Sequence, residues 1–313
     1  MRDLKGKTAF ITGGASGIGL GISKACAKEG MNVVIVDLRQ DVLDSAKALF
    51  EEHNWPVLCL NLDVTDRVAY AKAAEKAQAK FGNIHLLVNN AGIACAGGPL
   101  WQVSEKETNL ALDVNVVGVI IGIQTLVPHM LKHGEPSHIV STSSKAGLLA
   151  VPGCGLYNVT KQAVVGIMET MAMDLVGTNI GASAFCPGGF ISDLGKSSSM
   201  VTQSHLGDDA PPPPPPPPEP KDGEEPPAIF KEFATLMRSG DDAGERVVRG
   251  VKRGDLYILT HAEFKQGVKE RSEAMDRAFP DEVPNPRYGE VFPFLVSNPI
   301  FNEQTQVPAL DKK

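Results

Sequence analysis

A serine, a tyrosine and a lysine in the middle of the chain form its clearest chemical pattern. Tyr157 and Lys161 are four residues apart, so on a helix both side chains lie on one face. A lysine ammonium beside a tyrosine hydroxyl favours the phenolate and is expected to lower the pKa of the tyrosine. Ser144, thirteen residues before Tyr157, carries a hydroxyl that can hold the same substrate oxygen. This set predicts a proton-exchange unit for oxidising an alcohol or reducing a ketone.

A glycine-rich turn near the start of the chain predicts a dinucleotide phosphate site. The run 8–12 predicts a strand and the segment 20–29 predicts a helix. Glycine between a strand and a helix lets the backbone approach a pyrophosphate, and the helix N-terminus supplies N–H donors and a positive dipole end. The residues expected to bind the cofactor at this turn are Gly13, Ser16, Gly17, Ile18 and Gly19.

An acidic residue after the next predicted strand indicates which dinucleotide binds. Asp37 follows the apolar run 32–36 and lies 18 residues after Gly19. A carboxylate at this place bonds the adenosine ribose hydroxyls and repels a 2′-phosphate. Asp37 and the neighbouring Leu38 therefore predict NAD as the cofactor. Arg39 is the nearby charge that favours a phosphate, so NADP remains the less favoured alternative.

Together with several short motifs, these residues resemble the short-chain dehydrogenase/reductase family. The resemblance covers about residues 5–195, and residues 240–280 more loosely. It rests on Thr12, Gly13, Gly17, Gly19, Asn89, Asn90, Ala91, Gly92, Asn115, Ser144, Tyr157, Lys161, Pro187 and Gly188. The resemblance implies that Tyr157 is the general acid/base and that Ser144 positions the substrate oxygen. It also implies that Lys161 binds the nicotinamide ribose and that Asn115 anchors a water in a proton relay.

The same resemblance implies further cofactor contacts, besides those of Tyr157 and Lys161. They come from Asp63, Val64, Asn90, Ala91, Gly92, Pro187, Gly188, Ile191 and Ser192. The segments 11–18, 37–41 and 87–93 are also similar to bacterial Cα-dehydrogenases of lignin-type β-aryl ethers, which oxidise a benzylic alcohol.

Alternating strand-like and helical runs predict the fold class. The expected fold is α/β, a single-domain Rossmann-type doubly wound parallel sheet of about seven strands with helices on both faces. Further strands are predicted at 57–63, 85–89, 138–143, 181–186 and 256–260, and helices at 41–52, 67–81, 108–132 and 157–175. Ligands of such sheets bind beyond the carboxyl ends of the strands. That edge is where Gly13, Asp37, Asp63, Asn89, Ser144 and Pro187 are expected.

Residues 1–313 are interpreted as one domain with two unusual segments. Residues 5–195 form the cofactor-binding and catalytic core, and 241–280 its C-terminal part. Residues 196–240 form a substrate loop or lid with a proline-rich insertion at 211–227, which is either a surface insertion or a stiff strut or ligand for a proline-binding module. The tail 281–313 carries Tyr288, Phe292, Phe294 and Phe301, which are expected to dock along the domain or beside a neighbouring subunit.

Composition argues against several function classes. A net charge of −7 over 313 residues leaves no electrostatic footprint for nucleic acid. The sequence shows no apolar run near the ~20 residues of a membrane span. Five widely spaced cysteines and an N-terminus without a signal peptide favour the reducing cytoplasm. His129 and His133 lack a visible third ligand, so no metal is predicted. The apolar helix around Tyr157 and the family resemblance favour a homodimer or homotetramer.

Small and apolar residues predict a hydrophobic, aromatic or cyclic substrate. The expected pocket residues are Ala94, Cys95, Cys154, Phe190, Phe230 and Phe233. The favoured hypothesis is an NAD-dependent oxidoreductase that interconverts a secondary alcohol and a ketone. One alternative is an NAD(P)H-dependent ketoreductase of secondary-metabolite biosynthesis. An alternative of another class is a non-catalytic NAD-binding scaffold that presents the proline-rich loop to a partner.

Overall fold

One parallel sheet of seven strands forms the centre of the molecule. The computed structural model describes residues 1–95, 97–210, 235–302 and 304. The strands follow the order β3-β2-β1-β4-β5-β6-β7. They are β1 Thr8–Thr12, β2 Asn32–Asp37, β3 Val57–Asn61, β4 Leu86–Asn89, β5 Ser137–Thr142, β6 Ile180–Cys186 and β7 Tyr257–Leu259. The predicted doubly wound α/β fold is confirmed.

The strand order reverses in the middle of the sheet. The chain runs outward from β1 through β2 to β3, and then returns so that β4 pairs with the other side of β1. Loops that leave β1 and β4 therefore head in opposite directions. Such a reversal leaves a crevice at the carboxyl edge of a parallel sheet, which is where ligands bind.

Helices cover both faces of the sheet, and this explains the continuous apolar runs of the strands. Phe10 and Val34 pack on one side with Tyr70, whereas Ile11 and Ile35 pack on the other. A strand buried on both faces has no polar alternation. The helices are α1 Gly17–Lys28, α2 Gln40–Glu52, α3 Arg67–Phe81, α4 Glu105–Leu112, α5 Gly118–His133, α6 Gly155–Asp174, α7 Leu194–Leu206, α8 Gly240–Arg253, α9 Lys265–Asp276, α10 Pro286–Val291 and α11 Pro293–Val296.

Local signals explain which boundaries were predictable. Helix α3 begins and ends at the predicted residues, because Asp66 caps it by accepting from the backbone N–H groups of Val68 and Ala69, and Gly82 ends it with a φ of 75°. The predicted helix 108–132 is wrong in one respect. A π turn at Asp113–Val117 separates α4 from α5 and contains Asn115. Such turns occur frequently at functional sites.

The sequence was expected to contain no segment apolar enough to span a membrane. Judged by length and composition only, that expectation is wrong. Residues Glu105–His133 contain a window of mean hydropathy 2.0, long enough to cross a bilayer. Ile121, Leu126 and Met130 of this segment are buried in the hydrophobic core against the sheet. The segment is therefore the core helix of a folded domain, and its hydropathy reflects burial inside the protein.

The predicted lid begins as a helix. Residues 196–206 belong to α7, where a loop was expected, and α7 carries apolar or small residues at Leu194, Ser198 and Val201, the spacing of one helix face. The proline-rich insertion 211–227 lies outside the described residues, as do Phe230 and Phe233.

Tyr288 and Phe292 do not dock along the domain as predicted, whereas docking beside a neighbouring subunit stays a prediction. Tyr288, Phe292 and Phe301 are about half exposed. Helices α10 and α11 fold on each other, with the Tyr288 and Phe292 rings 5.3 Å apart, instead of on the sheet. The chain returns to the domain at Ile300, which is buried. Residues 265–298 thus form a protruding segment, called the C-terminal arm below.

The side chains of His129 and His133 form hydrogen bonds with backbone groups. The Ile84 N–H donates to Nε2 of His129 at 3.2 Å. His133 Nε2 donates to the Ile84 carbonyl oxygen at 3.1 Å, and its Nδ1 accepts from the Glu135 N–H at 3.1 Å. The two rings therefore secure the loop that enters β4, at the edge of the sheet opposite to the crevice.

Helix α1, which starts at the glycine turn, is held by backbone contact with α8. A Cβ built on Gly21 would lie 1.8 Å from the carbonyl oxygen of Gly240, and one on Gly244 would lie 2.1 Å from that of Gly21. No larger residue fits at these crossings without moving a helix. The position of α8 therefore determines how close α1 sits to the sheet.

Replacing Gly244 with alanine is expected to lower the free energy of unfolding by about 2 kcal/mol, because the added methyl meets a backbone oxygen. Gly166→Ala is the matched control, since a Cβ at this exposed position of α6 meets nothing within 4 Å. Alanine there is expected to stabilise the helix by up to about 1 kcal/mol. Chemical denaturation measures both changes, and equal effects of the two substitutions would contradict the packing account.

Candidate active site

A cavity of about 390 Å³ opens at the carboxyl edge of the sheet, over the crevice between β1 and β4. Most of the residues predicted to bind a cofactor line this cavity, together with Ser144. They are Gly13, Ser16, Gly17, Ile18, Gly19, Asp37, Leu38, Asp63, Val64, Asn90, Ala91, Gly92, Tyr157, Lys161, Pro187, Gly188 and Ser192. The chain thus brings residues from six strand ends into one cavity.

The glycine turn forms a cradle of closely packed backbone. Gly13 has a φ of +59°, and a Cβ there would lie 2.9 Å from the Ala91 Cα atom. A Cβ on Gly19 would lie 1.9 Å from the carbonyl oxygen of Gly13. Thr12 joins the turn to the loop after β4, because its Oγ1 accepts from the N–H groups of Asn90 and Ala91 at 3.0 and 3.1 Å. This cradle at the N-terminus of α1 fits a pyrophosphate.

Arg39 links the two parts of the cavity that would bind adenosine. Asp37 is buried, and its Oδ1 accepts from the backbone N–H and from Nε of Arg39 at 3.2 and 3.3 Å. The Nη2 of Arg39 donates to Ser16 Oγ at 2.6 Å. The contact with Ser16 was missed by sequence reasoning, since nothing in the spacing of residues 16 and 39 indicates it. The carboxylate that would exclude a 2′-phosphate is therefore already paired with a cation.

Tyr157 and Lys161 lie on one face of α6, but their electrostatics differ from the prediction. Lys161 Nζ lies 5.6 Å from the centroid of the Tyr157 ring and donates to the Thr142 carbonyl oxygen at 3.1 Å. Burial raises the pKa of Tyr157, and the hydrogen bond with Ser144 opposes this rise only in part. Burial also lowers the pKa of Lys161 to about 8. The pKa of Tyr157 is therefore shifted in the direction opposite to the expectation, because desolvation of the buried phenol is the largest cause.

The π turn presents Asn115 to the loop after β4. The fully buried Asn115 accepts from the Ile93 N–H at 2.8 Å, and its Nδ2 donates to the Ile93 carbonyl oxygen at 2.9 Å and to Thr160 Oγ1 at 3.2 Å. Both amide hydrogens are therefore used. The side chain braces the loop that carries Gly92, on which a built Cβ would lie 3.4 Å from Lys161 Nζ.

Several predicted residues do not line the cavity. Ile191 is 64% exposed, and its backbone N–H donates to the Arg238 carbonyl oxygen at 2.8 Å. Ala94, Cys95 and Cys154 are also not among the lining residues. The thiols of Cys95 and Cys154 are nevertheless close enough to Tyr157 for their negative charge to raise the pKa of the tyrosine. Of the predicted substrate residues that the structure describes, Phe190 alone lines the cavity.

Sequence reasoning missed two apolar residues of α7 on the substrate side, Leu194 and Val201. Their helical spacing was the available signal. Ile93 and Met237 provide further apolar surface on this side of the cavity. Among the described lining residues, the charged groups outside the adenosine end are Lys161 and Asp193, the residue preceding α7. The other described residues on the substrate side are apolar, or carry hydroxyl groups such as those of Ser144, Tyr157 and Ser197.

Comparisons with known proteins agree with this geometry. Residues 7–201 match the family described as short chain dehydrogenase. A C alpha-dehydrogenase of Sphingobium sp. strain SYK-6 is 30% identical over 275 residues, which cover 88% of this chain and 87% of the relative.

Solved structures extend the likeness over nearly the whole chain. A short-chain dehydrogenase/reductase of Burkholderia phymatum, solved in complex with NAD, is 29% identical with a TM-score of 0.76 and covers 91% of this chain and 99% of that one. The apo form of LigO from Sphingobium sp. strain SYK-6 is 31% identical with a TM-score of 0.74 and covers 99% and 100%. With a family match over more than half of its length, the chain belongs to the short-chain dehydrogenase family of oxidoreductases.

Proposed function

We propose that the protein is an NAD-dependent oxidoreductase that interconverts a secondary alcohol and a ketone on a hydrophobic, aromatic or cyclic substrate. One observation carries the proposal. Ser144, Tyr157 and Lys161 line the same cavity as the glycine cradle and Asp37. A proton-transfer group and a dinucleotide site on one cavity are the two requirements for hydride transfer to or from a carbinol carbon.

Each side chain has a role in this proposal. Bound NAD supplies the hydride acceptor, and the protein handles the proton. Ser144 holds the substrate oxygen, and Tyr157 exchanges a proton with it. The buried, neutral phenol is the form that protonates a ketone oxygen, and in alcohol oxidation its proton leaves first. Lys161, with its pKa near 8, can take up and release that proton close to neutral pH. Because both amide hydrogens of Asn115 are engaged, we assign the relay water to its backbone.

An NAD preference is supported by Asp37 and weakened by Arg39. The buried carboxylate favours free ribose hydroxyls. The guanidinium between Asp37 and Ser16 reduces the repulsion of a 2′-phosphate and supplies a donor for it. This pairing is the specific observation that favours the second candidate, an NADPH-dependent ketoreductase.

An apolar substrate is supported by the residues that face the nicotinamide end of the cavity. Ile93, Phe190 and Met237 provide apolar surface on this side. A carboxylate or phosphate on the substrate would find no cationic partner among the described lining residues there besides Lys161. The likeness to a C alpha-dehydrogenase agrees with a secondary alcohol next to an aromatic ring.

The non-catalytic scaffold is the less favoured alternative. Its proposed partner site, the proline-rich segment 211–227, lies outside the described residues. A scaffold does not require Ser144, Tyr157 and Lys161 to share a cavity with the cradle. We also propose a cytoplasmic location, which five free cysteines support, and which cell fractionation would test.

Replacing Tyr157 with phenylalanine is expected to reduce turnover by about a thousandfold or more, because the proton-exchanging hydroxyl is lost. NADH formation at 340 nm with benzylic and cyclic secondary alcohols measures the rate. Tyr288→Phe on the exposed arm is the control and should keep wild-type activity. Turnover within about tenfold of wild type in Tyr157→Phe would contradict the assigned role, which is worth at least a hundredfold. Dinucleotide binding without turnover in the wild type would favour the scaffold.

Cofactor preference is expected to respond in opposite directions to two substitutions. Arg39→Ala should raise the ratio of kcat/KM for NAD over NADP by about tenfold, because a phosphate partner disappears. Asp37→Ser should lower the ratio by a similar factor, because the repulsive carboxylate is gone. Lys28→Ala, which removes an exposed cation at the far end of α1, is the control for net charge. Unchanged ratios in both variants would place cofactor discrimination elsewhere.

A homodimer or homotetramer is expected, with the C-terminal arm at the subunit contact. The arm exposes Phe279, Val283, Val291, Leu295 and Val296, each more than half accessible. Apolar groups held this openly favour association. Sedimentation equilibrium should give a multiple of the 33.3 kDa chain mass. Val291→Asp together with Leu295→Asp should shift the protein toward the monomer, and Lys269→Asp on the same arm is the control. A monomeric wild type would contradict this expectation.

A further inference from the structure

Helix α7 lies across the cavity and is attached at both ends of it. Near its start, Ser198 Oγ accepts from the Ala94 N–H at 2.7 Å, in the loop after β4. At its end, Nε2 of His205 lies 3.1 Å from Oδ2 of Asp63, in the loop after β3. Leu194, Ser197 and Val201 of the same helix line the cavity itself. The helix therefore forms one wall of the cavity from the substrate side to the adenosine end.

The His205 ring is oriented by its own helix before it reaches Asp63. Its Nδ1 lies 3.0 Å from the Val201 carbonyl oxygen, one helical turn earlier, and 3.1 Å from Ser204 Oγ. Nε2 then donates to the Asp63 carboxylate, which only accepts. Because the acceptor is a carboxylate, this bond is charge-assisted.

Asp63 has one acceptor position left for a ligand. Its Oδ1 accepts from the N–H and the hydroxyl of Thr65 at 2.9 and 2.8 Å, so this oxygen is saturated. Oδ2 accepts from His205 alone among the described residues. A carboxylate oxygen accepts about two hydrogen bonds. Oδ2 can therefore hold His205 and a donor from a bound nucleotide base at the same time.

We propose that His205 is a cofactor-retaining residue, which holds α7 closed over the adenosine end of the cavity by sharing Asp63 with the bound dinucleotide. The inference rests on the proposed function, because it requires that a dinucleotide occupies this cavity. The dinucleotide can leave only when α7 moves away, and the bond between His205 and Asp63 must break first. His205 acts on the residence time of the cofactor and takes no part in the proton transfer at Tyr157.

The test is the rate of NADH release, measured by stopped-flow fluorescence when excess NAD displaces NADH from the purified full-length protein. His205→Ala is expected to release NADH about fivefold faster than wild type, the effect of losing one partly exposed charge-assisted bond. The dissociation constant should rise by the same factor. The rate of hydride transfer in a single turnover with saturating NADH and ketone should stay unchanged, which separates retention from a general loss of structure.

Two further variants keep the test specific. His205→Gln retains a donor toward Asp63 and is expected to restore most of the slow release. Ser199→Ala changes an exposed residue of the same helix, whose hydroxyl donates to the Gly195 carbonyl oxygen, and should behave as wild type. Release from His205→Ala within about 1.5-fold of wild type would overturn the inference alone, because the bond to Asp63 would then contribute nothing measurable to retention. A wild type that binds no NADH would overturn the proposed function and the inference together.

Discussion

The close approach of two backbone segments at the strand reversal is the constraint on which the site depends. The turn after β1 and the loop after β4 touch at Gly13 and Ala91, and Thr12 bonds both ends of that contact. Helix α1 starts at this turn and packs on α8 through Gly21 and Gly244. The position of the cradle is therefore determined by the sheet and by these two helices. A side chain at Gly13 or Gly19 would meet backbone atoms within 3 Å and force the turn to move.

Burial decides the electrostatic behaviour of the catalytic residues more than their spacing does. The i and i+4 pattern correctly placed Tyr157 and Lys161 on one helix face. It did not indicate that Thr142 would take the lysine ammonium as a partner, or that both groups would be desolvated. Burial raises the pKa of the phenol and lowers that of the lysine, so both shifts favour the uncharged forms. In the proposed function, this pair exchanges a proton with the substrate in either reaction direction.

Much of the fold was predictable because it rests on local signals. Strand β1 and helix α3 were found at their observed bounds, since a β-branched run and an Asp66 cap are contained in the sequence itself. The π turn around Asn115, the contact between Arg39 and Ser16, and the bond between His205 and Asp63 were not predictable. Each joins residues whose proximity results from the folded sheet, and no spacing rule connects positions 63 and 205.

The measurement that tests the central claim most directly is a fluorescence titration of NADH into the purified protein. The account predicts saturable binding of one dinucleotide per chain, displaced by ADP-ribose, because the cradle, Asp37 and Asp63 all belong to the adenosine diphosphate half of the cavity. Absence of binding at millimolar NADH, or binding that ADP-ribose does not displace, would contradict the assignment of this cavity as a dinucleotide site.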